Sequence, residues 1–528
     1  MPVKDLREWL KLLDSEGQLS RIKTQVDWKY EAAAVTRRGW DTMGQTAPAF
    51  LFENIKDYPP PGPNKLFTGS LQSYVRLAMA MDMPKKGDYP RELIAEYRRR
   101  LKNPIKPVLV DKKSAPCKQN IELGKKADLT RFPVPYWHER DGNRYFGTMT
   151  GVISKDPETG WINCGNYRQM LIDERSMTVL MEPGRAHVGY QYNKWIERGE
   201  KFPIAIAIGM HPIENLLSAS PLAVGDCEFD FAGGIIGRPI EMVECETVPL
   251  VVPANAEIIV EGTVDPKDQH VEGPFGEFTG FYGGMPGPKP VIRVSAITYR
   301  NDPIFEGTVE GYPVNASHIM SSVSISAFVL DQLERCGVPS VRDAACIPTG
   351  GFAMNVNVSI KPTCVGHAQR VAFALFSTPI AWTCFKYITV VDEDIDPWNA
   401  ELVNWAITFR CSPGRDVYIY PKTYGLSIDP SVEPEKRGFM DRMLIDATRP
   451  YDWAPNPIWG SEGVNKGIPL KYPPLNRPAP DIMEYVNSRW DEYGIKPVKD
   501  YVGSSKGPFD YWWTPECIDD VKTGKISR

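Results

Sequence analysis

The 528-residue sequence predicts an α/β protein in which a strand-rich, barrel-like unit is joined by one long helix to a second, smaller α/β unit. Three observations carry this. Short β-like runs punctuated by Gly, Pro, Asn and Asp recur from residue 106 to residue 315. Apolar residues then fall at helical spacing over 316–337, at Ile319, Val323, Ile325, Val329 and Leu333. Over 338–450, strand-like and helix-like runs alternate, the pattern of an α/β unit.

In order along the chain, residues 1–105 read as an N-terminal α/β segment that packs on the rest. Leu6, Leu10 and Leu13 mark an amphipathic helix over 4–17 that stops at Gly17. A second surface helix is expected over 92–102, with Arg98, Arg99, Arg100 and Lys102 as its solvated end. The strand-rich region has β-like runs at Pro107–Val110, Thr148–Ile153, Met177–Met181, Ile204–Ile208, Met242–Cys245, Leu250–Val252, Glu257–Val260 and Val291–Thr298. Helices are expected there at 189–199 and 212–219, so the unit reads as a mixed sheet or barrel with helices around it. In the 338–450 region, Phe352–Ile360 and Tyr387–Val391 read as strands, and 365–376 and 397–408 as helices. From 451 to 528 the chain is rich in Pro, Trp and Tyr and reads as an extended tail, packed on itself or on a neighbouring subunit.

Composition narrows the function classes. The net charge of −5 and the absence of a long basic run argue against nucleic-acid binding. No run of about 18 apolar residues exists to span a membrane, and no apolar signal-peptide segment opens the chain. These two features lead to the expectation of a cytoplasmic protein with reduced thiols, and the ten cysteines contain no C-x-x-C pair, which argues against a zinc ribbon or thioredoxin-like motif. P-loop and dinucleotide-fold signatures are absent.

Chemistry is concentrated in a few places. In Glu272-Gly-Pro-Phe-Gly-Glu277 two carboxylates flank a turn, because Pro and Gly exclude a regular helix. Phe275, Phe278, Phe281 and Tyr282 would make its surroundings apolar and raise a carboxyl pKa towards that of a proton donor. On composition alone, a Gly-rich hairpin with two exposed glutamates is the favoured reading. Arg168 ends the strand-like run Trp161–Arg168 and suits either a carboxylate ligand or a surface ion pair. Asn163, His187 and Glu228 together would form a hard, mixed oxygen–nitrogen set suited to Mn2+ or Mg2+. The acidic run Asp392–Asp396 reads as a solvated loop before a helix that starts at Asp396-Pro397.

These segments occur in a recognisable order: Ala127–Pro135, Asp141–Thr148, Trp161–Arg168, Cys245–Pro253, Glu261-Gly-Thr, Glu272–Glu277 and Val391–Asp396. In that order the chain resembles the UbiD family of decarboxylases over about residues 1–450. The resemblance implies a split β-barrel flavin-binding domain (106–315), a linker helix (316–337) and a C-terminal α/β oligomerisation domain (338–450). It implies prenylated FMN as cofactor, supplied by a UbiX-type prenyl-FMN synthase, with Mn2+ (or Mg2+) and K+. By position, Arg168, Glu272 and Glu277 match the catalytic set, and Asn163, His187 and Glu228 match the divalent-metal ligands. Trp161, Ser218, Ser220 and Glu228 fall at the K+ site, and Thr148, Asn163, Tyr167, Arg168, Ala186, His187 and Lys386 at cofactor contacts.

The activity so implied is reversible, non-oxidative decarboxylation of an aromatic or heteroaromatic acid, such as phenazine-1-carboxylate or a phenolic acid, by a homodimer or homohexamer. Alternatives are a cinnamic-type substrate, a plain FMN-dependent oxidoreductase, and a non-catalytic paralogue. The last should lack one of Arg168, Glu272 and Glu277, and all three are present.

Overall fold

The computed structural model describes residues 3–454 and 471–495, except 86, 88, 182–186, 284, 285, 352, 474, 477 and 479. The first helix, Leu6–Ser15, is capped by the Asp5 carboxylate and buries Leu6, Trp9, Leu10 and Leu13. After it comes a four-stranded sheet that the periodicity did not reveal, with strands Leu19–Ile22, Ala49–Phe52, Lys65–Thr68 and Ile304–Glu306 in that order. Each strand is too short to show an alternating pattern, and the last arrives from the far end of the barrel sequence. Through it the N-terminal segment is stitched to the central unit.

The helix Arg91–Leu101 forms as expected, but its basic end is not simply solvated. Arg98 pairs with Asp331 and Glu334, and Arg100 donates to the carbonyls of Met81 and Ile235, so two of the arginines dock this helix on its neighbours.

The central sheet has nine strands and curls on itself. Its order is Tyr145–Gly147, Gln169–Asp173, Ser176–Thr178, Gly287–Tyr299, Ile258–Glu272, Phe202–Ile208, Gly151–Lys155 and Ile162–Gly165, with Asn120–Leu123 added beside 287–299. Of the two forms expected, a mixed sheet or a barrel, the curled sheet is the barrel-like one, and all its pairings are antiparallel. The 258–272 strand is far longer than its apolar part. Ile258–Val260 lie in the core, whereas much of 265–271 is exposed and has no apolar signature. Its register with 287–299 shifts twice before ending at the pair Glu272↔Gly287, which delivers Glu272 to the site.

The linker helix, Ala316–Arg335, starts at the Asn315 cap and is buried on most sides. Ile319, Met320 and Val323 pack in the core beneath the barrel. Ile325, Val329 and Leu333 pack in the core of the C-terminal unit. One helix thus serves two cores, which explains why its apolar pattern is broad.

The C-terminal unit is a five-stranded sheet in the order Val341–Cys346, Asn355–Ile360, Tyr387–Asp392, Phe439–Ala447 and Val417–Tyr424. Its three middle strands are parallel. Helices His367–Phe376 and Ala400–Arg410 accompany it. The acidic run corrects the reading of a solvated loop. Asp392 and Asp394 are 1% exposed and bind the buried Arg410 at 2.8 and 2.7 Å. The following helix is capped by Asn399, not by Asp396. In the tail, Pro480–Ser488 is helical, and residues 455–470 and 496–528 lie outside the described residues.

Candidate active site

Glu272 ends the long strand. After Gly273-Pro274 the chain forms a small hairpin, Phe275–Gly276 against Tyr282–Gly283, with Glu277 just inside its turn. The hairpin reading is therefore right for the backbone and wrong for the side chains. Glu272 is 2% exposed and Glu277 8%. Gly276 is required there, because a Cβ would stand 2.4 Å from the His138 ring. Asp141 fastens the same turn, accepting from the Gly276 N–H at 2.8 Å. Of the four aromatics, Phe275 and Phe278 are buried, whereas Phe281 and Tyr282 are exposed.

Arg168 lies between the strands Ile162–Gly165 and Gln169–Asp173 and reaches this hairpin. Its Nε and Nη2 donate to the two Glu272 oxygens, each at 2.9 Å, and its Nη1 donates to Glu277. Tyr145 donates to Glu272 Oε1 at 2.6 Å. The Phe275 ring sits 5.4 Å from the guanidinium carbon and 4.2 Å, centroid to centroid, from Tyr145. Burial and the Glu272 charge raise the Glu277 pKa, and Arg168 opposes them. Burial pushes Tyr145 far up as well. Tyr145 has no signal in sequence that marks it, although it lies within Asp141–Thr148.

A cavity of about 1180 Å3 opens over these groups, between the barrel and the C-terminal unit. Thr148, Tyr167, Arg168, His187, Ser218, Ser220, Glu272 and Glu277 all line it. Glu310, which the sequence reading missed, lines it too and is raised to about 7, chiefly by burial. Thr148 accepts from the Thr308 N–H at 2.9 Å. Lys386 is not in the lining, and its ammonium engages Asp429 and Ser431. Ala186 lies outside the described residues.

Beside the cavity, Asn163 comes from the Ile162–Gly165 strand, His187 opens the helix His187–Glu197, and Glu228 opens the helix Glu228–Ile236. Glu228 Oε1 stands 3.9 Å from His187 Nδ1, and Oε2 accepts from the Cys164 N–H at 2.8 Å. Both amide atoms of Asn163 are buried without a well-aligned hydrogen bond. Among the described residues no group of three or more His, Cys, Asp and Glu forms a metal cage. An orphaned amide, an imidazole and a carboxylate do fit a hard divalent ion that keeps other ligands. Trp161 packs edge-on against His187, 5.0 Å between ring centroids, and its indole donates to the Asp226 carbonyl. The Ser218 carbonyl accepts from the Asn166 N–H, and the Ser220 hydroxyl bridges Tyr97 and Leu216.

A curled barrel, a covering α/β unit and a buried arginine shared by two glutamates define an enzyme that handles a carboxylic acid in a large cavity. Comparison with known proteins gives its family. Residues 10–95, 108–313 and 318–447 match the N-terminal, Rift-related and C-terminal domains of the UbiD family, described as 3-octaprenyl-4-hydroxybenzoate carboxy-lyase. The chain is 33% identical to a phenolic acid decarboxylase of Sedimentibacter hydroxybenzoicus, over 86% of this chain and 93% of that one. It is 30% identical to a pyrrole-2-carboxylic acid decarboxylase of Pseudomonas aeruginosa, over 93% and 98%.

Among solved structures, the closed form of S. hydroxybenzoicus vanillic acid decarboxylase aligns with a TM-score of 0.82 at 31% identity, over 93% of this chain and 99% of that one. An evolved dimeric form of the UbiD-class enzyme HmfF from Pelotomaculum thermopropionicum, in complex with prenylated FMN, aligns with a TM-score of 0.73 at 30% identity, over 86% and 96%. The chain belongs to the UbiD family, and it is a decarboxylase, a carboxy-lyase.

Proposed function

We propose that the protein catalyses reversible, non-oxidative decarboxylation of an aromatic or heteroaromatic acid with prenylated FMN bound in the cavity. One observation carries the reading. Arg168 binds Glu272 through two hydrogen bonds and Glu277 through one, and all three face a single cavity. The names of the phenolic and pyrrole-2-carboxylic relatives support the substrate class, and the HmfF complex supports the cofactor.

Bound prenylated FMN supplies the electron sink that no side chain can offer. Arg168 still has one free N–H on each Nη nitrogen, and these orient the substrate carboxylate. Glu272 and Tyr145 keep the guanidinium in place. After CO2 leaves, Glu277 gives its proton to the carbon, and its raised pKa keeps that proton available. Phe275 and Phe278 limit water around the reacting carbon.

Asn163, His187 and Glu228 hold Mn2+ (or Mg2+), and Trp161, Ser218, Ser220 and Glu228 surround K+. These cations offset the repulsion between the flavin phosphate and the carboxylates. The protein works in the cytoplasm with a UbiX-type synthase as cofactor supplier. It assembles as a homodimer or homohexamer through residues 338–450, where Phe409, Ile419 and Phe439 expose apolar surface.

The test is production with and without a prenyl-FMN synthase, followed by the mass of the bound flavin and a metal analysis. CO2 release and solvent deuterium exchange are then measured on a panel of aromatic acids. Prenylated FMN bound without turnover of any aromatic acid would overturn the reading.

A further inference from the structure

The cavity contains more cations than its own acids use. Arg168 is matched by Glu272 and Glu277. Arg442 also lines the cavity, but its guanidinium donates to the carbonyls of Ala381, Cys384, Phe385 and Tyr424. Two lining cations remain, Lys289 on the barrel wall and Arg437 on the C-terminal wall. Among the described residues neither side chain makes a hydrogen bond or ion pair. They differ at one atom. Both side chains are partly exposed, but Arg437 Nε is itself buried and has no acceptor. An orphaned, desolvated guanidinium N–H is costly until an acceptor arrives.

The surroundings of Arg437 do not supply that acceptor. It sits in the connection between strands Val417–Tyr424 and Phe439–Ala447, closed at its base by the Gly425 N–H bonded to the Gly438 carbonyl. Asp429 in this connection is taken by Lys386, Glu433 pairs with Lys436, and Glu435 is exposed. The same connection reaches the catalytic hairpin. A Cβ on Gly283 would meet Glu277 Cγ at 2.4 Å and Ile428 Cγ2 at 3.1 Å, so Ile428 packs beside Glu277. Leu426, Ser427, Ile428 and Arg437 line the same cavity as Glu277, so the reacting end of a substrate and the C-terminal wall share one space.

We propose that Arg437 is a specificity-determining residue that binds a second anionic group of the aromatic acid, a carboxylate held by its planar fork. This rests on the decarboxylase reading above and names the substrate class within it. A grip on the reacting carboxylate itself would only stabilise the ground state, whereas a grip on the far end orients the ring.

The test uses the enzyme loaded with prenylated FMN. Benzoate, 4-hydroxybenzoate, isophthalate and terephthalate are titrated by calorimetry against wild type, Arg437→Met, Arg437→Lys and Lys289→Met. KM and kcat are measured for any acid turned over. Wild type should prefer a two-acid ligand to benzoate. Arg437→Met should weaken that ligand on the order of 10–100-fold, the scale of one charge-assisted hydrogen-bond pair. Benzoate affinity should stay within about twofold and the loss should fall on KM rather than kcat. Arg437→Lys should be intermediate, and Lys289→Met close to wild type.

Equal weakening of benzoate, a loss confined to Lys289→Met, or a wild type with no preference for two acids would overturn the inference. Absence of any turnover by wild type would overturn the decarboxylase reading instead, and the binding data would still decide the role of Arg437.

Discussion

Arg168 divides its hydrogen bonds unequally between two carboxylates. Glu272 receives two of them, each at 2.9 Å, and Glu277 receives one. Tyr145 adds a further donor to Glu272 at 2.6 Å. Glu272 is thus saturated with donors, while Glu277 is buried with a single cationic contact and a raised pKa. Two chemically identical side chains acquire different environments from their partners.

Replacement of Glu277 by Gln keeps the size and the hydrogen bond from Arg168 but removes the transferable proton. We expect cofactor to stay bound and turnover to fall by about 10²–10⁴-fold, the usual contribution of a general acid. In the wild type the rate should fall as pH rises through the Glu277 pKa, because the donor must be protonated. Its raised value moves that fall to higher pH than an ordinary glutamate would give. A pH–rate profile with flavin content measured in parallel checks both points.

Tyr145→Phe deletes one donor to Glu272 and leaves ring packing on Phe275 intact. The Arg168–Glu272 pair remains but is held less firmly. A decrease of roughly tenfold in kcat is expected, with stability changed by about 1 kcal/mol, the typical worth of one hydrogen bond. Thermal unfolding together with steady-state kinetics separates the two effects.

Glu306 is 1% exposed, and burial raises it to about 8. Its folded-state pKa exceeds the unfolded value of about 4.3, so the folded form binds the proton more tightly. The associated stability is complete below about pH 4 and is lost as pH rises through 8. Glu306→Gln should therefore lose less stability than wild type between about pH 5 and pH 9 in urea unfolding.

Arg410 holds Asp392 and Asp394 inside the C-terminal unit. Arg410→Met leaves two carboxylates buried with Arg449 as the remaining cation paired with them among the described residues. A loss of about 3–5 kcal/mol is expected from uncompensated burial of charge, measurable as a lower denaturant midpoint. The barrel-side pairing of Arg168 with Glu272 should be intact in any variant that remains folded.

Much of the architecture was legible because helical and strand periods are local. The linker helix announced itself through Ile319, Val323, Val329 and Leu333, and in the structure it runs over Ala316–Arg335, ending two residues before the expected 337. The N-terminal sheet was illegible because its strands are three or four residues long and Ile304–Glu306 pairs with Lys65–Thr68 across most of the barrel sequence. The acidic run Asp392–Asp396 was misread because charge alone suggests solvent, and only the fold brings Arg410 to it.

At the site, the sequence by itself determined the cast. The order of motifs singled out Arg168, Glu272 and Glu277, and the Gly-Pro turn excluded a helix between the glutamates. It could not distribute the hydrogen bonds, because Arg168 lies 104 residues from one partner and 109 from the other. The shifted register of the 258–272 strand and the hairpin after it decide which carboxylate faces Nε and Nη2 and which faces Nη1. Tertiary structure alone also left Arg437 Nε buried and unpartnered in the cavity wall, since desolvation depends on what surrounds an atom and not on its neighbours in the chain.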